Sequence, residues 1–265
     1  MLNKIHLIHH THYDIGFTDQ PEEVIRHQLH FLDQALRLCE NNPAYKWTIE
    51  SGMLLREWMK SRSCELQERM IRQLQAGRMT VGALDMQLLT EVATFPELVE
   101  SIRRTTEMGR KYGFPVDTAI LDDVGGLAGE LPAAMEACGV PYLILGTGSC
   151  QTELPWANLP YLFYLRSKSG SRILVWNLGC DRNESSSESK VPYAGYSEAA
   201  IYLGYNSFAE ELKEFDLGVE LKLKHPETGE IMDAGTIYSL LADRLERNGY
   251  PYDELLIQYG GDNRQ

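Results

Sequence analysis

Apolar positions along the chain fall into short runs separated by stretches with helical spacing. Lys4–His9 is an apolar run with β-branched residues; a polar loop follows, then Pro21-Glu22-Glu23, where a proline at the first helical position and two early acids mark a helix start. Val24, Ile25, Leu29, Leu32 and Leu36 recur at three-to-four spacing, which predicts a helix ending near Asn41-Asn42-Pro43. Trp47–Ile49 reads as a strand, residues 53–60 and 65–75 as helices with Gly77 closing the second, and Met79–Val81 as a strand. The order then repeats. Residues 97–112 form an amphipathic helix stopping at Gly113, and residues 118–121 a strand running into Asp122-Asp123. Residues 131–137 form a helix capped by Gly139, and residues 142–145 a further strand. Residues 172–176 read as an inserted strand after the turn 168–171, residues 183–190 as a serine-rich polar loop, and residues 237–248 as a helix closed by Gly249. A last strand, 255–257, runs into Gly260-Gly261-Asp262. Parallel neighbours need a crossover connection, so short strands alternating with helices imply a parallel sheet covered on both faces, the α/β class. No internal repeat of fixed period is present.

Composition narrows the partners. The 265 residues carry 25 Lys plus Arg against 38 Asp plus Glu, a formal net charge of −13, and no basic patch stands out. The average field therefore repels phosphate backbones and anionic lipid, which argues against nucleic-acid or membrane partners. The first ten residues turn polar too early for a secretory segment or a membrane span, so a cytoplasmic location is expected. Five cysteines, Cys39, Cys64, Cys138, Cys150 and Cys180, are spread widely and never form a CxxC pair, which argues against both a disulfide framework and a thiolate zinc site.

The densest polar cluster is His9-His10-Thr11-His12-Tyr13-Asp14, at the exit of the first strand. Strand carboxyl ends form the binding face of parallel α/β folds. In an extended chain His12 and Asp14 project to the same side, about 6–7 Å apart at the backbone, near enough to converge on a divalent cation such as zinc. The plainer reading is a polar loop whose histidines bond the backbone. Asp122-Asp123, before Gly125-Gly126, would complete a metal site or supply a nucleophile, and equally fits a helix cap or a solvated turn. Gly260-Gly261-Asp262 repeats the pattern of strand, glycine and acid. Retaining glycoside hydrolysis needs two carboxyl groups about 5 Å apart, contributed by separate strands. Phe17 is a packing aromatic or a platform for a sugar face. Gly146-Thr147-Gly148 lacks the spacing of a dinucleotide loop, and GxSxG, HExxH and P-loop motifs are absent.

Taken together, these clusters resemble glycoside hydrolase family 38, the zinc-dependent retaining α-mannosidases. The segment His10-Thr11-His12-Tyr13-Asp14-Ile15-Gly16-Phe17 is similar to the family's opening motif, and Asp123-Val124-Gly125-Gly126 followed by Leu131-Pro132 keeps the spacing of its nucleophile segment without a gap. The last strand, ending Gly260-Gly261-Asp262, resembles the acid/base segment, and Thr48-Ile49-Glu50 adds to the likeness. The resemblance implies a parallel-stranded (β/α) barrel of about seven strands, of the glycoside hydrolase/deacetylase type, with one zinc ion per site and a carbohydrate substrate. It makes His12, Asp14 and Asp123 zinc ligands, Asp123 also the nucleophile, Asp262 the acid/base and Phe17 the sugar platform.

This sequence departs from the family at several points. Gly125 replaces the usual phenylalanine, Leu127-Ala128 replace a histidine-serine pair, and the tryptophan and aspartate typical of the region between Gly82 and Glu91 are not evident. The family's fourth ligand, a downstream histidine, has no counterpart, since the sole histidine after His30 is His225, beside Pro226. The chain stops three residues after Asp262, directly after a strand, which reads as the barrel portion of a longer enzyme whose zinc site is incomplete here. Two other functions remain open: a metal-dependent carbohydrate deacetylase, and a non-catalytic sugar-binding domain of the same fold. About one zinc per chain would favour either enzyme; none would favour the binding domain.

Overall fold

A computed structural model describes residues 2–16, 19–122, 124–147, 160, 162–180, 239, 242–243, 246–247 and 249–259. The predicted order of elements is present. Strand β1 (Lys4–His9) leads to α1 (Pro21–Asn41), β2 (Trp47–Ile49), α2 (Gly52–Ser61), α3 (Cys64–Gln75) and β3 (Met79–Val81). A 3-10 turn (Thr90–Val92), α4 (Phe95–Tyr112), β4 (Thr118–Asp122), α5 (Leu131–Cys138) and β5 (Tyr142–Thr147) follow. β6 (Leu162–Arg166), β7 (Arg172–Cys180) and β8 (Glu254–Tyr259) complete the described strands. The described residues of the predicted helix 237–248 are helical, and Gly249 follows with a φ of 75°.

Local chemistry explains the helix ends. Proline opens α1 with Glu22 and Glu23 in its first turn, where carboxylates meet the positive end of the helix dipole. At α4 the Glu97 carboxylate accepts the Thr94 backbone N–H at 2.7 Å, closing a capping box, so the helix begins two residues earlier than its apolar pattern suggests. Gly113 and Gly139 end α4 and α5 in left-handed conformations that residues with a Cβ adopt only at a cost.

The expected closed barrel of about seven parallel strands is not what the described strands form. They make three separate sheets: β1 with β8, β2 with β3, and a four-stranded sheet in the order β4-β5-β7-β6. β6 runs antiparallel to β7, with Leu165 opposite Ile173, so the last sheet is mixed. β2 and β3 pair in parallel over only three residues each and join neither of the other described sheets. Alternating strands and helices foretell parallel neighbours, but not whether every edge finds one. The hairpin β6-β7 turns through Gly170, and only its second strand stands out in sequence.

Strand parity organises the interior. One face of β2 and β3 (Trp47, Ile49, Met79, Val81) packs on α1, α2 and α3 around Leu36, Leu54, Trp58 and Met70. The matching face of β4, β5 and β7 (Ala119, Leu121, Leu143, Leu145, Ile173, Val175) packs on α4 and α5 around Ile102 and Met135. The opposite faces, with Ile8, Thr48, Thr80, Ile120, Ile144 and Leu174 among them, line a shared cavity of about 430 Å³. Side chains alternate along a strand, so successive positions in the main face the helices and the cavity in turn, with Val81 and Leu143 reaching both.

Candidate functional site

Two residues beyond the cavity layer the chemistry changes. Ile8, Thr48 and Ile120 line the cavity, and two positions further along the same chain segments come His10, Glu50 and Asp122. All three are buried, with exposures of 1%, 2% and 0%. One ligand atom from each lies within 4.8 Å of the others, a grouping able to hold a metal ion. Backbone spacing helps to set this up: Gly82 follows β3 so close to β2 that a Cβ there would lie 2.2 Å from the Glu50 carbonyl oxygen, and its N–H donates to Ile49 O at 2.8 Å.

Glu50 is the hub. Its Oε1 accepts from His12 Nδ1 at 2.7 Å and from Gln87 Nε2 at 3.0 Å, while Oε2 accepts the Tyr13 backbone N–H at 3.1 Å. A carboxylate can only accept, so Nδ1 of His12 carries the proton in this bond and Nε2 faces Asp14 Oδ1 at 3.4 Å. Gln87 ties the pieces together: its backbone N–H donates to the Tyr13 hydroxyl at 2.8 Å, and its side-chain oxygen accepts the Asp122 backbone N–H at 3.3 Å. The loop carrying Gln87 is held in turn by Arg56, which pairs with Asp85, and by Ser101, whose hydroxyl accepts the Asp85 N–H at 3.2 Å.

The two buried histidines have opposite electrostatics. Burial disfavours the charged form of His12, yet Glu50 above all, then Asp14 and Asp122, outweigh it and hold the imidazole well above its usual range. His10 lacks that compensation: burial drives it down to about 4, with Glu50 countering only in part. Neither ring nitrogen of His10 has a hydrogen-bond partner among the described residues. Burial, and then Glu50, push the Tyr13 phenol up.

Of the residues singled out from sequence, His12 and Asp14 are brought together. Phe17, Asp123 and Asp262 lie outside the described residues. His10 and Gln87 were not singled out as site residues, and Glu50 entered only through the family likeness. Asp122, which the sequence offered with Asp123 as completing a metal site, lies with His10 and Glu50, and Glu50 carried the same signal, an acid at the exit of its strand on the parity that faces the cavity. A zinc ion fits the His12–Asp14 pair, because ligands at about 2.0–2.1 Å from a tetrahedral ion sit about 3.4 Å apart, the separation found between Nε2 and Oδ1.

Comparison with known proteins defines the class. Residues 2–194 match the profile of the glycosyl hydrolases family 38 N-terminal domain. The chain belongs to that family. Among solved structures, it is similar to an alpha-mannosidase from Enterococcus faecalis V583, with a TM-score of 0.66 and 17% identity, covering 99% of this chain and 25% of that one. A protein in glycosyl hydrolase family 38 from Enterococcus faecalis aligns with a TM-score of 0.52 and 18% identity, over 97% of this chain and 26% of that one. The chain thus spans about a quarter of the length of these structures. A comparison with curated protein sequences gave no match. No described helix is long and apolar enough to cross a membrane.

Proposed function

We propose that the chain carries the catalytic site of a zinc-dependent retaining glycosidase of the α-mannosidase type, acting on a glycoside or oligosaccharide. The observation that carries this reading is the pairing of buried His12 with half-buried Asp14 at 3.4 Å, the histidine locked by Glu50, in a chain of family 38. In this reading His12, Asp14 and Asp123 would hold the metal, which would supply Lewis-acid binding of sugar hydroxyls. Glu50 fixes the His12 ring so that Nε2 is the ligand atom, as carboxylates behind metal-binding histidines commonly do. Asp123 attacks the anomeric carbon, and Asp262 protonates the leaving oxygen and then takes a proton from the incoming water. Phe17 offers an apolar face to the sugar ring. Asp262 has to hold its proton near neutral pH, which calls for a pocket that disfavours the carboxylate.

The test is turnover of an aryl α-mannoside by the native full-length protein and by its Asp123→Asn variant. Turnover should fall by at least about 10⁴-fold, the scale on which loss of a nucleophile in a covalent mechanism acts. A variant that keeps its rate would remove Asp123 from the nucleophile role.

A further inference from the structure

We propose that His10, Glu50 and Asp122 form a divalent-cation site of their own, beside the His12–Asp14 pair and distinct from it. The proposal starts from His10. Its imidazole is 1% exposed, and neither ring nitrogen has a hydrogen-bond partner among the described residues, although a buried polar group left unpaired costs about 1–3 kcal/mol. A ligand atom of that ring lies within 4.8 Å of carboxylate oxygens from two different strand exits, both buried. An unpaired imidazole grouped with two buried carboxylates is a donor set suited to a cation, and the cation would satisfy the His10 ring.

Acceptor counting shows that Glu50 has room for it. Of the four lone-pair positions on its carboxylate, Oε1 uses two for His12 and Gln87 and Oε2 uses one for Tyr13, leaving one. The same carboxylate would thus orient His12 through one oxygen and ligate through the other. His12 cannot substitute for His10 in this set, because its Nδ1 is committed to Glu50 and its Nε2 faces Asp14. One imidazole and two carboxylates suit Zn²⁺ or Mn²⁺ better than Ca²⁺ or Mg²⁺, which favour oxygen-only shells.

The inference stands on the described residues and does not depend on the glycosidase reading. The native protein, stripped with a chelator, is titrated with Zn²⁺ and then Mn²⁺, and bound metal is counted by elemental analysis. His10→Gln should remove one ion per chain or weaken one binding phase at least tenfold; Asp14→Asn should affect the other. Unchanged stoichiometry and affinity in a folded His10→Gln protein would overturn the proposal. Anomalous scattering at the zinc edge from unmodified crystals needs no variant: density between His10, Glu50 and Asp122 supports the site, and density at His12 and Asp14 alone rejects it. Protein that loads this site yet hydrolyses no glycoside would sink the function proposed above and leave this inference intact.

Discussion

His10 and His12 are two residues apart and equally hidden from solvent, and their surroundings push them in opposite directions. His12 is held protonated by Glu50, so in metal-free protein its contribution to stability is complete below an unfolded pKa of about 6.5 and is lost as pH rises through its raised folded value. His10 acts on the acid side. The unfolded chain takes up its proton near 6.5 and the folded chain only near 4, so stability falls as pH drops through that window. Metal-free protein should therefore show a melting temperature that declines from about pH 6.5 toward pH 4, and a flat profile there would contradict the burial of a neutral His10. Metal binding at His12 needs the neutral ring and so expels a proton. Calorimetry at pH 7 in buffers of different ionisation enthalpy should read close to one proton released per ion bound at that pair; a heat independent of buffer would count against it.

At the scale of elements, the helices were legible and the pairings were not. Helix ends are written locally: Pro21 before α1, the Thr94–Glu97 box before α4, Gly113 and Gly139 after α4 and α5. Nothing comparable states which strand edge meets which, and the barrel expected from the strand-helix alternation gives way to three sheets. The site divides in the same manner. His12 and Asp14 share a short motif and were readable, whereas Glu50 and Gln87 reach them across 37 or more positions in the chain. Arg78 is another long-range device. The last turn of α1 holds no basic residue of its own, and the guanidinium from the start of β3 accepts that task by donating to Cys39 O and Tyr45 O at 2.8 Å and to Asn42 O. Arg78→Ala should destabilise the protein by about 1.5–3 kcal/mol, as expected for hydrogen bonds from a charged donor. Lysine should restore only part, since it lacks the planar fork. Urea denaturation decides the point, and an unchanged midpoint would mean the carbonyls are satisfied by water.

At the scale of the molecule, the two ends of the described chain meet. β8 pairs in parallel with β1, Leu255 opposite Ile5, so a contact spanning 250 positions supports the segment that leads into His10, His12 and Asp14. Closing so long a loop is entropically costly before its contacts form, and such pairings come late in folding. Truncating the fully buried Leu255 to alanine should accordingly speed unfolding and leave the refolding rate within about twofold, the behaviour of a residue whose contacts form after the transition state. Stopped-flow measurement of a markedly slowed refolding limb would place the pairing early instead. The site is then completed among the last steps, after the helix-packed cores on either side are in place.

The alternation that separates helix-facing from cavity-facing residues also limits how this chain can change by insertion or deletion. Loss of a single residue inside β2 or β4 would exchange the two faces, sending Glu50 or Asp122 toward the helices and apolar neighbours into the site. Loss of a pair would keep the facing and shift the carboxylate by one level of the strand. Within these strands the tolerated changes of length are even-numbered, whereas the loops between them carry no such parity.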